Sequence, residues 1–218
     1  MKNQRRTLVI LLIFLLASLS CTLILAMHLE RTPSMQRIAR EEPFTGQKME
    51  LDTALDNAVD LIEKNNLAAA ENLLSNLIKQ YPASSDVWMF SGSVFFRQGN
   101  YKDAEKSFRH LLRQHPNSAA GFNNLSETLI KLGRLNEARI AITQALQLEP
   151  NNAEILLNAA SLYARLKDDK TALVCLKKAL DRGVTAEQVS MYLDLVRLLE
   201  RPDFMNYYRQ KQSERSNR

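Results

Sequence analysis

His110 and His115 are the side chains best suited by type to chemistry, since two imidazoles can share a metal ion or relay a proton. Five residues separate them, and on a helix that spacing does not stack both rings on one face. No cysteine or carboxylate cluster joins them, so both read as exposed polar side chains. Cys21 and Cys175 stand far apart, the first inside an apolar run, and no disulfide framework follows from them. Cys175 reads as a small core filler. The acidic doublets Asp168-Asp169 and Glu41-Glu42 read as solvated charges of a turn and a linker. No phosphate-binding glycine loop, nucleophile elbow or paired catalytic motif occurs in the sequence. These residue types point away from an enzyme and call for no cofactor and no metal.

What the sequence does carry is a period. Pro82, Pro116 and Pro150 fall 34 residues apart, and Ala70, Ala104, Ala138 and Ala172 keep the same step. A fixed period of this size marks helix-turn-helix units that bury their apolar faces only by stacking on one another. Units at 51–84, 85–118, 119–152 and 153–186 put Ala54, Trp88, Phe122 and Leu156 at the fourth place. Leu61, Phe95, Leu129 and Tyr163 fall at the eleventh. The eighth place holds Ala58, Gly92, Ser126 and Ala160, all small, and the twentieth is alanine in every unit. Helices cross closely only where side chains are small, so these places predict the crossing of the two helices of a unit. Leu74, Phe108, Ile142 and Leu176, at the twenty-fourth place, fill the space beside it. Gly99 and Gly133 predict a left-handed residue at the turn between the helices. The prolines stop the second helix, and Ser84, Asn117 and Asn151 are the expected caps of the next.

This pattern resembles the tetratricopeptide-repeat family over residues 51–186. The resemblance implies an all-α, right-handed superhelix of about four repeats, closed by a capping helix at 187–200 and followed by a polar tail at 201–218. The outer units depart from the family pattern: Asn57 replaces a usual Leu, Asn65 and Lys167 replace the turn glycine, and Val184 replaces proline. Departures at the ends suit capping units. The resemblance further implies a protein or peptide partner held in the concave groove lined by the first helices. Carried over place by place, the groove residues are Met89, Phe90, Ser93 and Arg97 from the second unit. Asn123, Asn124, Glu127 and Lys131 follow from the third, and Asn158, Ser161 and Arg165 from the fourth. Asparagine can bond both N–H and C=O of an extended peptide, Arg and Lys can meet its acidic groups, and Met89 and Phe90 can cover an apolar side chain. Chaperone adaptors of the family grip a terminal carboxylate with Lys, Asn, Asn, Lys and Arg. Here those places hold Met89, Ser93, Asn124, Glu154 and Asn158, and only Asn124 matches. That use is disfavoured.

Charge and the amino terminus bound the location. Residues 51–186 carry 16 Lys and Arg against 15 Asp and Glu, which leaves no basic stripe for nucleic acid. Basic residues 1–7 precede an uncharged stretch at 8–27, whose 20 residues reach about 30 Å as a helix, the thickness of a hydrocarbon core. With the cationic flank held inside, the expected topology is a single-pass bacterial inner-membrane protein, amino terminus cytoplasmic and repeats periplasmic. Two other outcomes stay open: a signal cleaved near Ser18-Leu19-Ser20, and a lipoprotein acylated at Cys21. Pro33, Pro43 and Gly46 mark residues 28–49 as a linker. The expected function is a membrane-anchored scaffold, an accessory subunit of an envelope translocation, maturation or assembly machine. The alternatives are a lipoprotein assembly factor for a pilus or secretin, and an organellar import receptor with cytosolic repeats.

Overall fold

The structure is a computed structural model and describes residues 33–216, among which there are eleven α-helices and no strand. In chain order they are α1 Pro33–Glu63, α2 Leu67–Gln80, α3 Ser85–Arg97, α4 Tyr101–Gln114, α5 Ala119–Lys131 and α6 Leu135–Leu148. Then come α7 Ala153–Arg165, α8 Asp169–Asp181, α9 Ala186–Ser190, α10 Leu193–Leu199 and α11 Pro202–Ser216. The chain divides into two units, Met1–Ala54 and Leu55–Arg218, with the boundary inside α1. In the first, the stretch read as a linker is helical from Pro33 onward, and the helix continues through Pro43 and Gly46. A proline at the first helical position loses no hydrogen bond. α1 as a whole carries no coherent apolar stripe; the repeat pattern announced it from residue 51 onward but not before. Residues 8–27, and with them the span, signal and lipoprotein alternatives, lie outside the described residues. Among the described residues no helix is long and apolar enough to cross a membrane.

The second unit is an all-helical superhelical stack. α3 packs on α4, α5 on α6 and α7 on α8 within repeats, while α2 on α3, α4 on α5 and α6 on α7 join them. The first helices also touch in succession, α3 to α5 and α5 to α7. The expected crossing points are where the sequence put them: Ala58, Ala160 and all four period alanines are fully buried. Ser126 Oγ donates to the Ala138 carbonyl at 3.0 Å across one crossing. At another, a Cβ on Gly92 would stand 2.5 Å from the Phe108 ring. Only glycine admits that ring.

Each turn contains a left-handed residue: Gly99 (φ 80°) and Gly133 (φ 75°) in the inner repeats, Asn65 (φ 56°) and Lys167 (φ 64°) in the outer ones. Lysine gains nothing locally from this conformation, so Lys167→Gly is expected to stabilise by about 1 kcal/mol, the left-handed penalty less the extra chain entropy of glycine. A rise in urea midpoint checks it. The caps are Ser84, Ser118 and Asn152, which accept from Val87, Gly121 and Ile155 N–H. Two of these lie one residue beyond the expected Asn117 and Asn151, because α5 and α7 start at Ala119 and Ala153. Asn151 instead accepts from Arg182 Nη2 at 2.6 Å.

The carboxyl end differs more from expectation. The capping stretch is two short helices, α9 and α10, separated at Met191-Tyr192. α10 packs on α7, and α11 packs on α8 and α10, so the pair continues both helix layers by one further unit. The stretch read as a polar tail, either a short helix or a frayed end, is helix over Pro202–Ser216. Phe204, Tyr207 and Tyr208 stand at i, i+3 and i+4, a narrow apolar stripe hidden by a strongly polar average. Phe204 is buried, and the single Tyr207 OH proton is shared between the Lys177 carbonyl at 3.0 Å and Asp181 Oδ1 at 2.9 Å.

Candidate functional site

The expected groove residues separate by what they touch. Asn123, Asn158 and Ser161 are buried, at 2%, 4% and 6% exposure. Asn123 Nδ2 donates to Glu154 Oε1 at 3.1 Å, and Asn158 Nδ2 donates to Asn123 Oδ1 at 3.1 Å. Tyr192 OH donates to Asn158 Oδ1 at 3.0 Å. The result is a row of hydrogen bonds running across α5, α7 and the start of α10. Side-by-side first helices bring their fifth and sixth places within reach of each other, so these amides are engaged in joining repeats and do not present the free donors that were expected. Ser161 Oγ reaches Asp194 Oδ2 at 3.4 Å.

A second set is tied locally. Arg97 donates to the Ile62 carbonyl at 2.8 Å and to Asn65 Oδ1 at 3.2 Å, and Arg165 Nε meets Asp194 Oδ2 at 2.6 Å. Ser93 Oγ donates to the Met89 carbonyl of its own helix at 3.0 Å. Asn124 Nδ2 meets Met89 Sδ at 3.1 Å, and Met89 packs against the core.

Phe90, Glu127 and Lys131 remain. Phe90 is half-exposed, Glu127 half-buried and Lys131 exposed. Glu127 and Lys131 line a cavity of about 370 Å³ between α5, α7 and the Met191–Asp194 segment, with Arg165, Tyr192 and Asp194 on the opposite wall. Tyr192 is the residue that place-by-place transfer missed. It stands one period after Asn158, so carrying the 34-residue step one unit further would have found it.

Burial, reinforced by the nearby Glu154 carboxylate and opposed by Lys131, pushes the Glu127 carboxyl above its ordinary value of 4.5. Burial, with Glu127 and Glu154 close by, likewise raises the Tyr192 phenol. A raised carboxyl favours the fold while protonated, so its contribution is complete below 4.5 and is lost as pH rises. Glu127→Gln is accordingly expected to raise the urea midpoint at pH 7.5, with the gain disappearing near pH 4. An equal gain at both values would refute the assignment.

The other chemistry-bearing residues have structural work. Asp168 caps α8 by accepting from Thr171 N–H at 3.1 Å, and Asp169 accepts from Arg197, which holds its carboxyl below the ordinary range. Asp168 is exposed at the turn, as a solvated charge should be, while Asp169 is partly buried against its arginine. His110 stacks on Trp88, ring centres 3.8 Å apart, and bonds Gln114, so it is not a freely solvated side chain; His115 is exposed at the end of α4. Cys175 is buried, and burial raises its thiol. No cluster of His, Cys, Asp and Glu able to hold a metal occurs among the described residues.

A family model described as tetratricopeptide repeat matches residues 55–119 and 123–183, and a second of the same description matches 95–144. The chain belongs to the tetratricopeptide-repeat family. Among solved structures its repeats resemble pilF of Pseudomonas aeruginosa at 21% identity and a TM-score of 0.65, covering 75% of each chain. A thermophilic tetratricopeptide-repeat protein of Thermus thermophilus matches at 22% identity and a TM-score of 0.60, over 74% of this chain and 97% of that one. MamA AMB-1 matches at 25% identity and a TM-score of 0.51, over 62% and 75%. No curated protein matches the chain. Tetratricopeptide repeats are scaffolds for protein contacts, and the groove of this one is the surface to examine.

Proposed function

We propose that these repeats hold an extended segment of a partner polypeptide along α3, α5, α7 and α10, as a scaffold tethered to a bacterial inner membrane by residues 8–27, with the repeats in the periplasm. The observation that carries the binding proposal is the 370 Å³ cavity lined by Glu127 and Lys131 of α5, Arg165 of α7 and Tyr192. Glu127 and Lys131 line it once the asparagine row has been used to join repeats, and Phe90 is the partly exposed apolar residue carried over from the second unit. The tether rests on the uncharged stretch and the basic residues Lys2, Arg5 and Arg6 before it. A role as accessory subunit of an envelope translocation, maturation or assembly machine follows from a tethered, non-enzymatic body of this kind.

In-cell crosslinking and affinity recovery test it, comparing the parent with Phe90→Ala/Lys131→Ala. Phe90 is partly buried and Lys131 exposed, so the fold is expected to survive. Loss of the recovered partner with the double variant supports the groove; unchanged recovery refutes it. Protease protection of the repeats in intact spheroplasts tests the topology, and digestion there would instead place the repeats in the cytosol. Mass spectrometry of the amino terminus distinguishes a retained span from a cleaved signal or an acylated Cys21.

A further inference from the structure

The charged side chains lining the 370 Å³ cavity, Glu127 and Asp194 against Lys131 and Arg165, balance in number but are not all paired. Arg165 on one wall is taken by Asp194, with Nε 2.6 Å from Oδ2. Lys131 lies on the rim, exposed, and forms no ion pair among the described residues. Glu127, half-buried in the wall, has neither a hydrogen-bonding nor an ion-pairing partner among them. Glu154 deepens the negative field from α7, with one of its oxygens occupied by Asn123. The Glu127 carboxylate is half-buried, keeps contact with water and feels Lys131 without an ion pair to it, so an entering cation finds a counter-charge not yet engaged. The Tyr192 ring lines the same cavity and offers a π-face to such a cation. Met191 and Leu193 beside it are 78% and 86% exposed, an apolar rim fitted to the neighbour of a charged residue.

We infer that this cavity takes a lysine or arginine side chain of the bound polypeptide, with Glu127 as its counter-charge, Tyr192 stacked against it and Met191 and Leu193 covering an adjacent apolar residue. This rests on the groove proposed above and names the chemistry of its partner. The ligand is a basic-apolar segment, the opposite charge class from the terminal carboxylate gripped by chaperone adaptors of this fold.

The probe is a random dodecapeptide library displayed on phage, panned against the full-length chain in detergent micelles. Selected peptides are expected to be enriched in Lys or Arg beside Leu, Ile or Phe. Replacing that Lys by norleucine in a selected peptide is expected to weaken binding about tenfold, the worth of one charge-assisted contact in a partly desolvated site. Glu127→Gln should remove the difference between the two peptides, and Lys131→Gln, which takes a competing cation off the rim, should strengthen the Lys peptide. Circular dichroism of both variants checks that they fold. Equal binding of the Lys and norleucine peptides, or a Lys preference that survives Glu127→Gln, overturns the cation site. Enrichment of Asp and Glu, with Lys131→Gln weakening binding, overturns it while leaving the groove in place. Failure to select any peptide above background overturns both.

Discussion

Replacing Phe108 by alanine lowers the stability of the repeat stack by about 3–5 kcal/mol, the range for emptying a fully buried aromatic site. Phe108 is among the largest fully buried side chains, and its ring lies over Gly92 at the crossing of α3 and α4. Gly92→Ala attacks the same contact from the other side, because its new Cβ would stand 2.5 Å from the ring. Overpacking of that kind costs about 1–3 kcal/mol, offset by up to about 1 kcal/mol of helix propensity. Shortening the ring side chain makes room, so Gly92→Ala in a Phe108→Leu background should cost less than in the parent. Urea denaturation of the four proteins measures that coupling. Costs below about 1 kcal/mol for Phe108→Ala would mean that the second repeat does not support its neighbours.

Asn158→Ala is expected to cost about 1–3 kcal/mol, since it leaves one buried partner unpaired and a second that is only half-buried. Those partners are Asn123 Oδ1 and the Tyr192 hydroxyl. The loss should be local. Hydrogen exchange is expected to quicken in α7, α9 and α10, which meet at Asn158, and to stay slow in α3 and α4. Uniform acceleration would instead report global destabilisation and count against the row as a junction. Tyr192→Phe, which removes only one of the bonds, should show the same pattern at lower amplitude.

The repeat body was legible because its signals are strictly periodic and local. Small residues at the eighth and twentieth places, and the glycines at two turns, depend on the immediate environment that the period repeats. The groove was only half legible. Whether Asn123 faces a ligand or Glu154 is decided by how close the first helices lie, a tertiary property that place-by-place transfer does not contain. The same transfer stopped at the fourth repeat, and so passed over Tyr192, whose neighbours in sequence look like an ordinary amphipathic cap. The carboxyl-terminal helix was hidden by composition: its aromatics hold it to α8, and their largely polar neighbours mask them only in an average over the segment. The helix through Pro43 and Gly46 ran against both residues' intrinsic preferences, which a sequence pattern weighs heavily.

The asparagine row gives the concave face an uneven compliance. Between α5, α7 and α10 it places amide and hydroxyl bonds at 3.0 and 3.1 Å, each needing its neighbour at one stagger, so those helices bend together or not at all. Between α3 and α5 the corresponding tie is Asn124 to a thioether sulfur, a weak acceptor. A load carried by a bound chain would therefore open the face first beside Phe90, where the width can adapt, while the far end near Tyr192 behaves as a stiff block with a fixed spacing.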